Sequence, residues 1–93
     1  DMIVASKSVE FAMPEVRVGI PSVIDAALLP RITGYNLARD LVLTGRRMSA
    51  AEAREAGLVQ RLTEDNSLDA EVDNVVSEIL AGGRNAMVIQ KEL

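Results

Sequence analysis

FAMPEVRVGIPSVIDAALLPRITG, residues 11–34, is the stretch whose reading decides the rest of the chain. An extended apolar segment stops at Met13-Pro14, because proline has no N–H to give to a strand ladder. Glu15 follows, with Val16, Val18, Ile20 and Val23 as its apolar neighbours in sequence. Gly19-Ile20-Pro21 predicts a turn, and Ser22 predicts the start of a short apolar helix. Ser22 and Asp25 have the spacing of a variant capping box. Ile24, Leu28 and Ile32 then share one helical face with Ala27 beside them, and Pro30 inside that pattern requires a kink or a separate final turn. An acid and a helix N-terminus at neighbouring chain reversals are a common way of building a site.

Working outward, Met2–Ala5 reads as a buried strand, Ser6–Ser8 as a turn, and Val9 and Phe11 as a second strand with one wet face. Beyond residue 34, a helix is expected from about Asn36 to Thr44, with Leu37, Leu41 and Val42 inward and Gly45 ending it. Ser49 and Glu52 form a capping box for a two-turn helix that Gly57 stops. Leu58–Leu62 returns as a short strand or extended segment, and residues 63–67 make a polar loop whose Asn66 or Ser67 caps the next helix. Leu68, Val72, Val75, Val76, Ile79 and Leu80 mark one stripe there, before Gly82-Gly83 ends it. Residues 83–93 read as a helix with no stop signal. The organisation is two strands followed by a run of helices, an α/β class at its margin.

Ninety-three residues allow one small domain with a modest core. A net charge of −4 argues against a general nucleic-acid binder, which would carry a basic face. Cysteine is absent, which removes disulfides and thiolate metal sites, and histidine is absent too. Acid-base chemistry within these residues therefore falls to carboxylates, lysine, tyrosine or water. No apolar run reaches the roughly 18 residues of a membrane span, and no signal peptide opens the chain. A cytoplasmic location, or a mitochondrial or peroxisomal matrix, is the expectation, with no secretion.

Residues 11–34 resemble the middle of the crotonase superfamily, the enoyl-CoA hydratase and isomerase family. There a strand ending in Phe-x-x-Pro-Glu precedes a Gly-Ile-Pro turn, an active-site helix and a Pro-Arg-x-x-Gly end. The likeness continues through Leu41–Ala53 and Ala56–Val59, in order and spacing, and Asp1–Ser6 resembles the strand after the family's glycine-rich oxyanion segment. The resemblance implies a C-terminal-side part of a crotonase spiral of ββα units, cut at both ends. Strands would fill about 1–13, the active-site turn and helix 14–33, and a helical region 35–93. It implies an acyl-CoA thioester partner, coenzyme A only as part of the substrate, no metal, no other cofactor, and a homo-trimer or hexamer for the complete protein. It implies hydration of 2-enoyl-CoA, with double-bond isomerisation as the rival, thioester hydrolysis a weaker one, and a non-catalytic assembly partner as the reading from another class. A small self-folding helical module using the Leu68–Leu80 stripe is the reading that ignores the resemblance.

Glu15 matches the family glutamate assigned the acid role toward the α-carbon, against the plain alternative of a surface carboxylate at a strand end. A carboxylate in an apolar setting can be tuned toward neutrality for such work. Ile20, Pro21, the backbone N–H of Ser22 and Asp25 are the expected substrate-binding residues. Family members usually have glycine where Ser22 stands, so the Ser22–Asp25 run is a departure that should reshape the acyl end of the pocket. Ser22 and Asp25 are also explained by helix capping. Arg31 is expected to be structural, paired with Asp25 or a carbonyl, and Arg46-Arg47 to be a solvated face. The oxyanion donors and a second glutamate, about six residues before Asp1 on the motif's spacing, are expected upstream. By itself the chain should carry half a site, and should expose apolar surface.

Overall fold

The computed structural model describes residues 1–92, except for the side chain of Asp25. Four short strands and five helices alternate: β1 (Val4–Ser6), β2 (Glu10–Ala12), α1 (Ile24–Thr33), α2 (Tyr35–Thr44), β3 (Arg47–Ser49), α3 (Ala50–Glu55), β4 (Arg61–Thr63), α4 (Leu68–Leu80) and α5 (Arg84–Glu92). Single 3₁₀ turns lie at Pro14–Val18 and Asp65–Ser67. The class is α/β, as expected, but the strands are not confined to the first residues. They form two separate ladders. β1 pairs parallel with β4, Ala5 opposite Leu62, while β2 pairs antiparallel with β3, Phe11 opposite Met48. Two strands therefore lie within the stretch expected to be largely helical: β4 overlaps the short strand or extended segment expected over Leu58–Leu62, whereas β3 was not expected. Arg47–Ser49 is too short to show a period, and only its partner β2 makes it a strand.

The β1–β4 ladder is lengthened by a side chain. Gln60 Oε1 accepts from the N–H of Ile3 at 2.7 Å, and the N–H of Gln60 returns to the carbonyl of Ile3 at 3.0 Å. At the other end Lys7 N–H reaches the Thr63 carbonyl at 2.9 Å, and Ser8 N–H reaches Asp65 Oδ1 at 3.1 Å. β1 starts two residues later than expected. Met2 and Ile3 are exposed, and Ala5 is the buried member.

The core is small and lies between the two ladders and the helices α1, α2 and α3. It comprises Ala5, Leu29, Ala38, Leu41, Met48, Ala53 and Val59, with Phe11, Leu37 and Leu62 packed partly against it. Met48 is its largest fully buried side chain. α2 ends as its sequence dictates: Gly45 adopts φ +61° and donates its N–H to the Leu41 carbonyl at 2.9 Å. α3 begins as expected too, with Ser49 Oγ accepting from the N–H of Glu52 at 3.1 Å. The reciprocal half of that capping box is absent, because the Glu52 carboxylate turns to Arg46.

Two expectations for helix starts are corrected. α1 begins at Ile24 with Val23 flanking it at φ −113°, ψ −72°, and without a side-chain cap, so Ser22 is not its N-cap. Ser67 flanks α4, but its hydroxyl contacts Asn66 Oδ1 rather than a helical N–H. α1 also runs continuously through Pro30 to Thr33. Its last turn is held by Gly34 N–H on the Pro30 carbonyl at 2.9 Å and by Thr33 Oγ1 on the Leu29 carbonyl at 3.0 Å.

The radius of gyration is 15.6 Å, against about 12 Å for a compact domain of this length. The difference has a local cause. Of the α4 stripe only Val75 is buried, while Val72, Val76, Ile79 and Leu80 are exposed, as is all of α5.

Candidate active site

The turn that carries Glu15 is built by its ends. Pro14 pre-sets the backbone for the first helical position, where its missing N–H costs nothing. Gly19 closes the turn in the left-handed region at φ +76°. Its N–H bonds the Val16 carbonyl at 3.2 Å, and Ile20 N–H bonds the Glu15 carbonyl at 3.0 Å. The chain that leaves the turn is thus tied to the backbone of Glu15.

The turn is anchored on the end of α2. Arg17 Nε donates to the Thr44 carbonyl at 3.2 Å, placing a cation at a helix C-terminus, where the dipole favours it. A Cβ on Gly45 would stand 3.1 Å from Arg17 Cγ and 3.3 Å from Pro14 Cα. Gly45 therefore serves twice. It ends α2 and lets the Glu15 turn lie against it.

Glu15 itself is half-buried. Its Oε2 is shielded from solvent and has no hydrogen-bond partner, and the same holds for Ser22 Oγ. These are the unpartnered buried side-chain oxygens found among the described residues, and both fall in the 11–34 stretch. Burial of that one oxygen distinguishes Glu15 from a fully exposed carboxylate. The expected apolar wall is not formed: Val16, Val18, Ile20 and Val23 all face outward, as does Pro21. The candidate site lies on an open face, with exposed apolar side chains around it. The side chain of Asp25, and with it any pairing to Arg31, lies outside the described residues.

An apolar cleft of about 340 Å³ lies beside the turn, lined by Phe11, Ala12, Met13, Leu28, Ile32 and Met48 among others. Met13 links it to the Glu15 turn, being the residue that precedes Pro14. A larger cleft of about 710 Å³ lies between β1, α4 and α5, and neither cleft is lined by Glu15 or Ser22. No cluster of three acidic, histidine or cysteine side chains able to hold a metal occurs among the described residues. Among the described residues no helix is long and apolar enough to cross a membrane.

The expectation for Arg46 is corrected. It is not part of a solvated face but the centre of an ion network. Nε meets Asp40 Oδ2 at 2.6 Å, and NH1 and NH2 meet the two Glu52 oxygens at 3.1 and 2.6 Å. These bonds hold the Glu52 carboxyl below its usual range and raise the Arg46 guanidinium further. Arg47 does face solvent, on β3, bonded to Glu10 at 3.2 Å. Sequence reasoning missed three contributors: Arg17 as anchor, Gly45 as the seat of the turn, and the Ser22 hydroxyl as a buried group. The signal for Gly45 was present, but only its helix-ending half was readable.

Comparison with known proteins extends over the whole chain. A family model described as enoyl-CoA hydratase/isomerase matches residues 1–93. A probable enoyl-CoA hydratase of Rhizobium meliloti is 38% identical over 93 residues, which cover 99% of this chain and 36% of that protein. A carnitinyl-CoA dehydratase of Salmonella typhi is 31% identical over 94 residues, covering 100% of this chain and 36% of its own. In three dimensions the chain resembles the crystal structure of an enoyl-CoA hydratase of Mycobacterium smegmatis with a TM-score of 0.95 at 33% identity, covering 99% of this chain and 36% of that one. An enoyl-CoA hydratase/isomerase from Pseudoalteromonas atlantica gives 0.90 at 38% identity, covering 98% and 37%. The chain spans about a third of the length of the relatives it matches. With the Pro14-Glu15 turn, the strand before it and the helices after it all superposing on such proteins, the chain belongs to the enoyl-CoA hydratase/isomerase family.

Proposed function

We propose that this chain supplies one of two acid-base groups to a site that hydrates a 2-enoyl-CoA to a 3-hydroxyacyl-CoA. The observation that carries the reading is Glu15 Oε2, buried and unpartnered on the turn that bears the family motif. A carboxylate oxygen kept from solvent without a partner is costly to maintain, and a reacting substrate gives it one. In the reaction, the water oxygen bonds to C3 and the C2=C3 π pair takes a proton at C2. Glu15 delivers that proton. The proton lost by water goes to a second carboxylate, and the resemblance puts that group upstream of Asp1 with the oxyanion donors.

The complete protein is then a crotonase-type spiral that contributes the missing wall, and the chain is a C-terminal-side part of it. The homo-trimer or hexamer, and a location in the cytoplasm or an organelle matrix, follow from the family and rest on the same reading. The apolar cleft beside Met13 is the natural seat for the acyl chain.

Glu15→Gln in the full-length protein is the test. It keeps shape and removes the proton, so turnover of a 2-enoyl-CoA should fall by about 10²–10⁴-fold while affinity for a saturated acyl-CoA stays unchanged. Activity within about tenfold of the parent would remove Glu15 from the mechanism. A parent that binds acyl-CoA but only moves the double bond would make the protein an isomerase. One that binds no acyl-CoA would make it a non-catalytic member of the family.

A further inference from the structure

The carboxyl of Glu15 is aimed by its backbone. Its Oε2 has no hydrogen-bond partner among the described residues, so nothing on that oxygen holds the side chain in place. The work falls to the turn Pro14–Val18. That turn is a single 3₁₀ element with no buried residue, and its hydrogen-bond geometry is poorer than that of an α-helix. It leans on its surroundings. Arg17, two residues from Glu15, ties it to α2 through Nε and the Thr44 carbonyl at 3.2 Å.

The acceptor is itself fixed. Thr44 is the last residue of α2, where carbonyls have no partner within the helix. Its hydroxyl donates to the Asp40 carbonyl at 2.6 Å and accepts from the Arg46 N–H at 3.2 Å. Asp40 and Arg46 meet again through Oδ2 and Nε at 2.6 Å. Residues 40, 44 and 46 thus close a ring of hydrogen bonds around the end of α2. Arg46 fastens that ring to α3 through both Glu52 oxygens. Gly45 lets Arg17 reach it, because a Cβ there would stand 3.1 Å from Arg17 Nε. An unbroken path of hydrogen bonds and chain therefore runs from Glu52 through Arg46 and Thr44 to Arg17 and the Glu15 turn.

We propose that Arg17 and Thr44 are positioning residues for the Glu15 carboxyl, Arg17 by gripping the end of α2 and Thr44 by holding its carbonyl still for that grip. This rests on the acyl-CoA reading above, and adds to it two residues that touch neither the substrate nor the reacting atoms. Neither forms or breaks a covalent bond, and neither moves a proton. Displacing an acid matters because its proton must reach C2 along a short, aligned path, and a 1 Å misplacement can cost about 10²-fold in rate. Both residues are exposed, so water replaces part of each lost bond and the expected losses are smaller.

The test measures single-turnover hydration of a 2-enoyl-CoA, and affinity for the saturated acyl-CoA, in the full-length protein. Arg17→Met keeps the stem over Gly45 and removes the donor. It should slow turnover about tenfold while affinity for the saturated ester stays unchanged. Arg17→Lys, which can still place a donor at the carbonyl, should recover most of that loss. Thr44→Val should slow turnover about threefold by itself, and no further when combined with Arg17→Met, since both act through one bond. Placed on Glu15→Gln, Arg17→Met should cost nothing more, whereas a general loosening of the fold would slow that variant as well. Unaltered turnover in Arg17→Met, or an equal further loss on Glu15→Gln, overturns the positioning role and leaves the acyl-CoA reading standing. Additive losses for Arg17→Met and Thr44→Val overturn the part given to Thr44. If Glu15→Gln itself stays within about tenfold of the parent, that reading fails and this inference fails with it.

Discussion

The corner formed by residues 35–63 and the arm formed by residues 68–92 have similarly clear apolar periodicity and opposite fates. In the corner, Ala38, Leu41, Met48, Ala50, Ala53 and Val59 are all buried, and the Asp40–Arg46–Glu52 network closes over them. In the arm, Val75 alone is buried, and Leu80 is 77% exposed. The difference lies in the partners. α2 packs on α1 and on the Glu15 turn, and α3 packs on β3, β4 and β2, while α4 touches the chain mainly at β1 and the turn before it. Amphipathicity announces that a face will be covered, but not by what. The larger cleft, shared by β1, α4 and α5, is where that exposed apolar face is concave.

Substitutions can sharpen this contrast. Met48→Ala should have the largest effect on stability, about 2–5 kcal/mol, because Met48 is 1% exposed and packs opposite Phe11. The denaturation midpoint should drop in the full-length protein and in the 93-residue chain alike. Leu80→Ala should change the short chain by no more than about 0.5 kcal/mol, yet cost a core-like amount wherever the rest of the protein covers the arm. Equal small effects in both settings would mean that α4 remains uncovered.

Gly45→Ala comes next. Its φ of +61° strains any residue with a Cβ, and that Cβ would press on the Pro14 backbone. About 1–2 kcal/mol of stability should be lost, and turnover should fall with it, because the Glu15 turn rests there. Stability loss with unaltered kcat would show that the turn holds its place without α2.

The smallest effect concerns pH. The Glu52 carboxyl is lowered chiefly by its bonds to Arg46, and that of Asp65 by its bonds to Ser8. A depressed folded-state value means the stabilisation is complete above the unfolded carboxylate range, near 4, and disappears as pH falls through the folded value. Urea midpoints should therefore be flat from pH 7 to about 5 and decline below about 4. Glu52→Gln should flatten the decline. Both groups are solvent-accessible, so salt should shrink the difference.

Much of the site was legible because it is local. Glu15 on its turn and Gly45 at the end of α2 each depend on a handful of consecutive residues. So does Ser49 at the start of α3. Ser22 shows the limit of such reasoning. Ser-x-x-Asp has the spacing of a cap, but the chain after Pro21 enters the helix at Ile24, and no local rule reports that shift. β3 was illegible for another reason: three residues carry no period, and their strand character comes from pairing with β2. Arg46 looked like surface because its carboxylates lie six residues away on either side, outside helical spacing but close once α2 and α3 fold against the loop. The corner's burial and the arm's exposure could not be told apart from periodicity alone.

The β1–β4 ladder carries a consequence for the order in which the molecule is made. Its strands are 57 residues apart in sequence, so closing it before the intervening helices form would cost about 3.6 kcal/mol in loop entropy, plus a constant. α2 and α3, with their local contacts, are the natural first structures, and the ladder is a late event. On a ribosome adding about 5–20 residues per second, β1 waits roughly 3–11 s for β4 to be synthesised. Throughout that interval Val4–Ser6 lacks its β4 partner, and the edge that β4 will cover is of the kind that seeks other chains.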